Sequence, residues 1–165
     1  MTATSIELLQ AMPIFGAVRS DTIQFLVERA QPISVSAGNY FFNEGDAATG
    51  MFVLQAGRVA VLKTWNGRHF LLRQLGKGDC FGEMALMDLQ PRSASVRAID
   101  DCTAIELRPE DLYELFERDA EQFALIQMNM GREVCRRLRV MDEMLFHAEM
   151  GSVAKGDTEK LYRST

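Results

Sequence analysis

The sequence is short of the residues that staple, ligate and catalyse. Three cysteines and two histidines occur among 165 residues. Cys80, Cys102 and Cys135 are scattered, odd in number and form no CxxC. That is the pattern of reduced thiols, not of a disulfide framework. His69 and His147 stand far apart, with no HxxxH or HExxH, so no closely spaced zinc set exists. Hydrolysis needs a metal or a placed base to activate water. Its absence argues against an enzyme such as a phosphodiesterase. Positive charge is also short: 18 Lys and Arg face 23 Asp and Glu, for a formal net charge of −5. A chain that attracts nucleic acid by bulk charge is basic. No apolar run approaches the roughly 20 residues of a membrane span. Met1 to Gln10 lacks a basic region followed by an apolar core, so no secretory signal is read there. The expectations are a cytoplasmic protein with no metal, no nucleic-acid partner and no membrane partner.

What is present is an ordinary globular composition, 47% hydrophobic and 25% charged. A chain of this length buries roughly 70% of its unfolded surface and needs no covalent staple. Residues 1–31 read as two short helices. Ile6, Leu8 and Leu9 precede Pro13, and Ser20-Asp21 resembles an N-cap before Ile23, Phe25, Leu26 and Val27. Gln31-Pro32 closes that segment. Over residues 32–108 short apolar runs alternate with turns: Ala37-Gly38-Asn39, Glu44-Gly45-Asp46, Ala56-Gly57, Asn66-Gly67 and Gly76-Lys77-Gly78-Asp79. This spacing predicts a mainly β barrel or sandwich. Asn66-Gly67 lies between Val59-Ala60-Val61-Leu62 and Phe70-Leu71-Leu72, the signature of a type I′ hairpin.

Residues 109–149 turn helical. Pro109 suits a first helical position, with Glu110 and Asp111 where the helix dipole favours acids. A longer helix is expected from about Asp119 to Glu149. Phe123, Ile126 and Met130 form a face to pack on the barrel. Val134, Leu138, Met141, Leu145 and Ala148 then repeat at 4, 3, 4, 3, a narrow seam that favours a homodimer through this helix. Residues 150–165, small, charged and glycine-broken, read as a flexible tail.

The stretch from Phe81 to Val96 stands apart. Gly82 permits close backbone approach, and a helix opening there presents N–H groups to an anion. The guanidinium of Arg92 matches two phosphate oxygens. Ser93 adds a hydroxyl and Ala94 a backbone N–H. Glu83 accepts hydrogen bonds only, so it must face another part of the ligand, and a ribose hydroxyl is the natural donor. Phosphate and ribose read from two ends of one insert imply a nucleotide. Singly, Gly82 is a turn glycine, Glu83 a first-turn acid and Arg92 a surface charge. Together they specify a site.

The run F-G-E-M-A-L closing in P-R-S-A-S-V resembles the phosphate-binding cassette of cyclic-nucleotide-binding domains. These occur in bacterial regulators similar to the catabolite activator protein, in regulatory subunits of cyclic-AMP-dependent protein kinase and in cyclic-nucleotide-gated channels. The resemblance covers roughly Leu9 to Glu149. It includes Glu44-Gly45-Asp46, Gly57-Arg58-Val59-Ala60-Val61 and Arg136-Arg137-Leu138. It implies a jelly-roll-like β-barrel with N-terminal helices and a long C-terminal helix, and a cassette over 81–96. It implies that Gly82 and Glu83 start the cassette, with Glu83 on the ribose 2′-hydroxyl. Arg92 matches the phosphate-binding arginine, and Ser93 and Ala94 complete the cradle. Met84, Ala85 and Leu86 form the cassette helix, with Ala85 supplying backbone and Leu86 packing as a switch. Cys80 reads as a small buried hydrophobe. Some relatives ligate haem through a cassette-neighbouring cysteine and histidine, but His69 belongs to a different strand.

Two features depart from the bacterial regulators. Met150 to Thr165 are too few for a helix-turn-helix domain. The expectation is a stand-alone sensor without a DNA-binding domain, whose output is a contact with an unidentified protein effector. The hydroxyl pair that contacts adenine in those relatives is replaced by Met141 and Asp142. Asp142 can accept from the N6 amino group of adenine or from N1 and N2 of guanine, and Ser93 can reach a guanine amino group in the syn form. The resemblance favours cyclic AMP as ligand, because bacterial-type members mostly use it. Cyclic GMP, a cyclic dinucleotide and a ligand-free dimeric scaffold stay open.

Overall fold

The computed structural model describes residues 2–153. The chain opens with α1 (Thr2–Gln10), a single 3-10 turn over Pro13–Phe15, and α2 (Ser20–Arg29). Eight strands follow: β1 (Gln31–Val35), β2 (Tyr40–Phe42), β3 (Met51–Ala56), β4 (Val59–Trp65), β5 (Arg68–Leu75), β6 (Cys80–Phe81), β7 (Ser95–Ala98) and β8 (Cys102–Leu107). The short helix α3 (Met84–Asp88) lies between β6 and β7, and α4 (Pro109–Arg118) and α5 (Ala120–Val153) come after β8.

The strands form two antiparallel four-stranded sheets, ordered β1-β8-β3-β6 and β2-β7-β4-β5. The architecture is the expected mainly β jelly-roll-like barrel with helices before and after it. β3 shows how the layers are built. Phe52 and Leu54 enter a core that also holds Val59, Val61 and Val96 of the second sheet. The alternate residues Met51 and Val53 enter a second core with Ile23 and Leu26 of α2 and Ile126 of α5. Both faces of β3 are covered, so Met51-Phe52-Val53-Leu54 reads as one apolar run where a half-buried strand would alternate. Burying such side chains is worth about 1.5–3 kcal/mol each.

The Asn66-Gly67 hairpin forms as expected, with φ of 49° and 71°, the positive pair of a type I′ turn. Gln31 and Pro32, expected to close the helical segment, instead begin β1. Pro32 is tolerated because β1 is an edge strand, where a missing N–H leaves no ladder bond broken. Arg19, not Ser20, precedes α2, and Asp21 Oδ1 accepts from the Thr22 N–H at 2.9 Å. At α4, Pro109 takes the first helical position, and Asp111 Oδ2 accepts from the Arg108 N–H at 2.9 Å.

The chain divides into two compact units, 1–130 and 131–165, so α5 contributes to both. In the first unit Ile126 and Met130 are buried and Phe123 is packed against them. Asn129 Nδ2 donates to the carbonyls of Ile14 and Gly16 at 3.1 and 2.9 Å, tying the 3-10 turn to α5. In the second unit the Glu133 carboxylate accepts from Arg136 and Arg137 one turn on. The expected seam residues Leu138, Met141 and Leu145 are exposed there. α5 continues past Glu149 to Val153, through Gly151. One glycine costs a helix roughly 0.5–1 kcal/mol, which a long helix can carry. The remainder of the expected tail, 154–165, falls outside the described residues.

Candidate functional site

The insert between β6 and β7 crosses from one sheet to the other. Its geometry begins at Gly82, whose φ of +81° lies where L side chains are strained. A Cβ built there would stand 2.5 Å from Arg92 Nη1. Glycine is thus required twice over, for the turn and for the approach of Arg92. Glu83 follows as the N-cap of α3 and is 1% exposed. α3 has five residues, so its dipole is slight and the cationic character of the site rests on the arginines that line it, Arg92 and Arg73.

Arg92 is 3% exposed. Nη1 donates to the Gly82 carbonyl at 3.0 Å and Nη2 to the Gly50 carbonyl at 2.7 Å. The guanidinium lies over the Phe42 ring, 4.1 Å from its centroid. Its backbone is fixed as firmly. The Arg92 N–H donates to the Asp46 carbonyl and the Gly45 N–H donates to the Arg92 carbonyl, both at 2.9 Å. The turn Glu44-Gly45-Asp46 between β2 and β3 therefore positions an arginine almost fifty residues away. Lys63 Nζ donates to the Ser93 carbonyl at 2.7 Å and pairs with Glu44, extending the same clamp.

Burial pushes the Arg92 guanidinium below its ordinary pKa, while Glu106, Asp46 and Glu83 oppose that shift through their negative fields. Arg92 Nε is buried and makes no hydrogen bond. An unmet buried donor costs about 1–3 kcal/mol, more when charged. Such a donor calls for an explanation, and an acceptor on a bound ligand is one.

A cleft of about 570 Å³, counted out to its open mouth, adjoins this arginine. Gly82, Glu83, Met84, Arg92, Ser93 and Ala94 all line it, so six of the eight residues singled out in the sequence meet at one place. Ala85 contributes its backbone to α3. Asp142 is exposed on α5 in the second unit. Leu86 is half-buried against the helical core that includes Leu112 and Ile126. Sequence reasoning missed Phe42, Val61 and Arg73, the lining residues outside the 81–96 insert. Arg73 carried a signal, a charge within the apolar run of β5 and in register with Val61. Phe42 carried none, because its place over Arg92 depends on a contact fifty residues long.

An insert that bridges the two sheets and holds a buried, incompletely satisfied arginine at the wall of a cleft gives this β-barrel a site suited to an anion. The model of the cyclic nucleotide-binding domain matches residues 32–119, more than half of the chain, and the chain belongs to that family. It is similar to the cyclic AMP receptor protein of Thermus thermophilus, 29% identical over 135 residues that make up 81% of this chain and 61% of that protein. It is also similar to a cyclic-GMP-dependent protein kinase of Toxoplasma gondii, 37% identical over 91 residues, 55% of this chain and 9% of the kinase. Among solved structures, the Thermus thermophilus catabolite activator protein superposes with a TM-score of 0.74 at 29% identity, over 83% of this chain and 63% of that one. The chain thus spans less than two thirds of the Thermus protein. Among the described residues no cluster able to hold a metal ion occurs, and no helix is long and apolar enough to cross a membrane.

Proposed function

We propose that this domain is a sensor of a 3′,5′-cyclic nucleotide and acts by binding, not by catalysis. The observation that carries the reading is Arg92, buried at the cleft wall with an Nε donor that no protein group meets. In this reading Arg92 holds the cyclic phosphate, with the Ser93 hydroxyl and the Ala94 backbone N–H beside it. Glu83 accepts from the ribose 2′-hydroxyl, and Met84 and Ala85 belong to the cassette helix, Ala85 supplying backbone. Cyclic AMP is the first ligand to test, on the strength of the Thermus relative's name.

The output is a contact with a protein effector. Leu86 links the cassette to α4 and α5, so a ligand that prefers one packing of Leu86 shifts the population of the helices. The exposed seam of Leu138, Met141 and Leu145 supports a homodimer through α5. Calorimetric titration of the full chain with cyclic AMP and cyclic GMP tests the core of the reading, with 5′-AMP as control. Saturable binding of a cyclic nucleotide, one per chain, is expected. A flat titration with both refutes it and leaves the scaffold alternative.

A further inference from the structure

We infer that β5 is a docking edge for an extended, acidic segment of a partner protein, which joins the sheet as a further strand. The inference rests on the protein-effector part of the proposed function, not on the ligand in the cleft. The two sheets end in the edge strands β1, β6, β2 and β5. Three of these are blunted, by shortness or by proline, as natural edges are. β2 has three residues, β6 has two, and β1 carries Pro32. β5 differs. It runs for eight residues, seven of them exposed, and among the described residues only β4 pairs with it. Such an edge presents a row of N–H and C=O groups that its own sheet does not use. An added peptide strand takes that row as its ladder.

The side chains fit the same use. Phe70 is 47% exposed and Leu71 55%. Phe70 lies opposite Lys63 and Leu71 opposite Leu62, so these two apolar side chains stand on opposite faces of the sheet. A flat surface laid on one face covers one of them, whereas an added strand flanks both. Charge sets the partner's sign. Between Asp46 and Asp79 no acid occurs, yet Arg58, Lys63, Arg68, Arg73 and Lys77 do, in a chain of net charge −5. Arg58 and Lys63 pair with Asp100 and Glu44. Arg68 and Arg73 stand on β5 itself, on either side of Phe70 and Leu71. Opposite charges across a strand pair are favourable and like charges are not, so acids suit the incoming strand. A second copy of β5 would set arginine against arginine. A bilayer would leave the backbone groups of the edge unpaired, because hydrocarbon offers them no partner.

The test uses a fluorescent peptide, Ser-Glu-Thr-Val-Val-Thr-Glu-Ser, whose valines match Phe70 and Leu71 and whose acids match Arg73 and Arg68. Anisotropy follows its binding to the full chain at low salt without nucleotide, and amide hydrogen exchange locates it. Saturable binding is expected, with slowed exchange over residues 68–75. Lysine in place of both glutamates should weaken binding about tenfold or more. Methylation of both valine nitrogens should abolish it, because successive N–H groups of a strand point to opposite sides and one of the two must face β5. Arg68→Glu should erase the preference for the glutamate peptide. The changes made in the peptide keep the test decisive even if that variant folds poorly. A flat titration of the glutamate peptide overturns the inference. So does equal binding of the methylated peptide, which would mark a contact of side chains alone, and so does protection confined to another element. Sedimentation with phosphatidylserine vesicles that Arg68→Glu abolishes, without peptide binding, also overturns it, since the edge would then serve a membrane. Calorimetric binding of cyclic AMP with no peptide binding defeats this inference and leaves the reading of the cleft standing.

Discussion

Replacing Gly82 by alanine separates two costs that a single glycine hides. The first is conformational: φ of +81° is strained for any residue with a Cβ, at about 1–3 kcal/mol. The second is a collision. The new methyl carbon would stand 2.5 Å from Arg92 Nη1 and 3.3 Å from the Gly50 carbonyl oxygen. Arg92 cannot yield cheaply, because its fork is bonded to Gly82 and Gly50 and seated on Phe42. Hydrogen bonds from a charged donor are worth about 1.5–3 kcal/mol. Gly82→Ala should therefore cost about 3–5 kcal/mol, a fall in Tm of roughly 6–20 °C for a chain of this size. It should also weaken cyclic-nucleotide binding at least about tenfold, since the displaced group is the proposed phosphate holder. Gly67→Ala is the matched control. Its φ of +71° carries the same kind of strain, but nothing lies within 4 Å of its Cβ position. It should lose about 1–3 kcal/mol and bind ligand normally. Denaturant melts and calorimetry on both variants give the comparison. If Gly82→Ala is no less stable than Gly67→Ala and binds ligand like the wild type, the contact argument is wrong.

Two further outcomes follow from the same structure. Glu83→Gln should weaken cyclic ribonucleotides while barely affecting the 2′-deoxy analogue, because the lost partner is the 2′-hydroxyl. Parallel titrations that show equal losses for both ligands refute the ribose role. Leu138→Glu combined with Leu145→Glu puts two carboxylates into the exposed α5 seam and should convert a dimer to a monomer in sedimentation velocity, with the melt of the barrel little changed. A wild type already monomeric at high concentration removes the proposed dimer.

The hairpin was legible because its instruction is local. Asn66 and Gly67 tolerate positive φ wherever they occur, so the turn needs no distant partner. The start of α4 was legible for the same reason, since Pro109 and Asp111 act within one turn. Gly82, Glu83, Arg92 and Ser93 could be singled out because the insert is short and its residue types belong to one chemistry. The two sheets were foreseeable only as a class. β3 gave no alternation to read, because helices cover one of its faces and the second sheet covers the other. Pro32 looked like a terminator, and only its place on an edge strand makes it part of the sheet.

The sequence by itself determined the barrel class, the turns and the stretch that forms the cleft-lining insert, because these depend on backbone preference and on neighbours within about fifteen residues. The tertiary structure alone decided how Arg92 is held and what shares its cleft. The carbonyl of Gly50, the ring of Phe42 and the turn at Asp46 reach Arg92 across more than forty residues, and Arg73 reaches the cleft through the register of β5 on β4. Such contacts exist only once the sheets have closed, since pairing register and layer order are properties of the folded chain, not of any window along it.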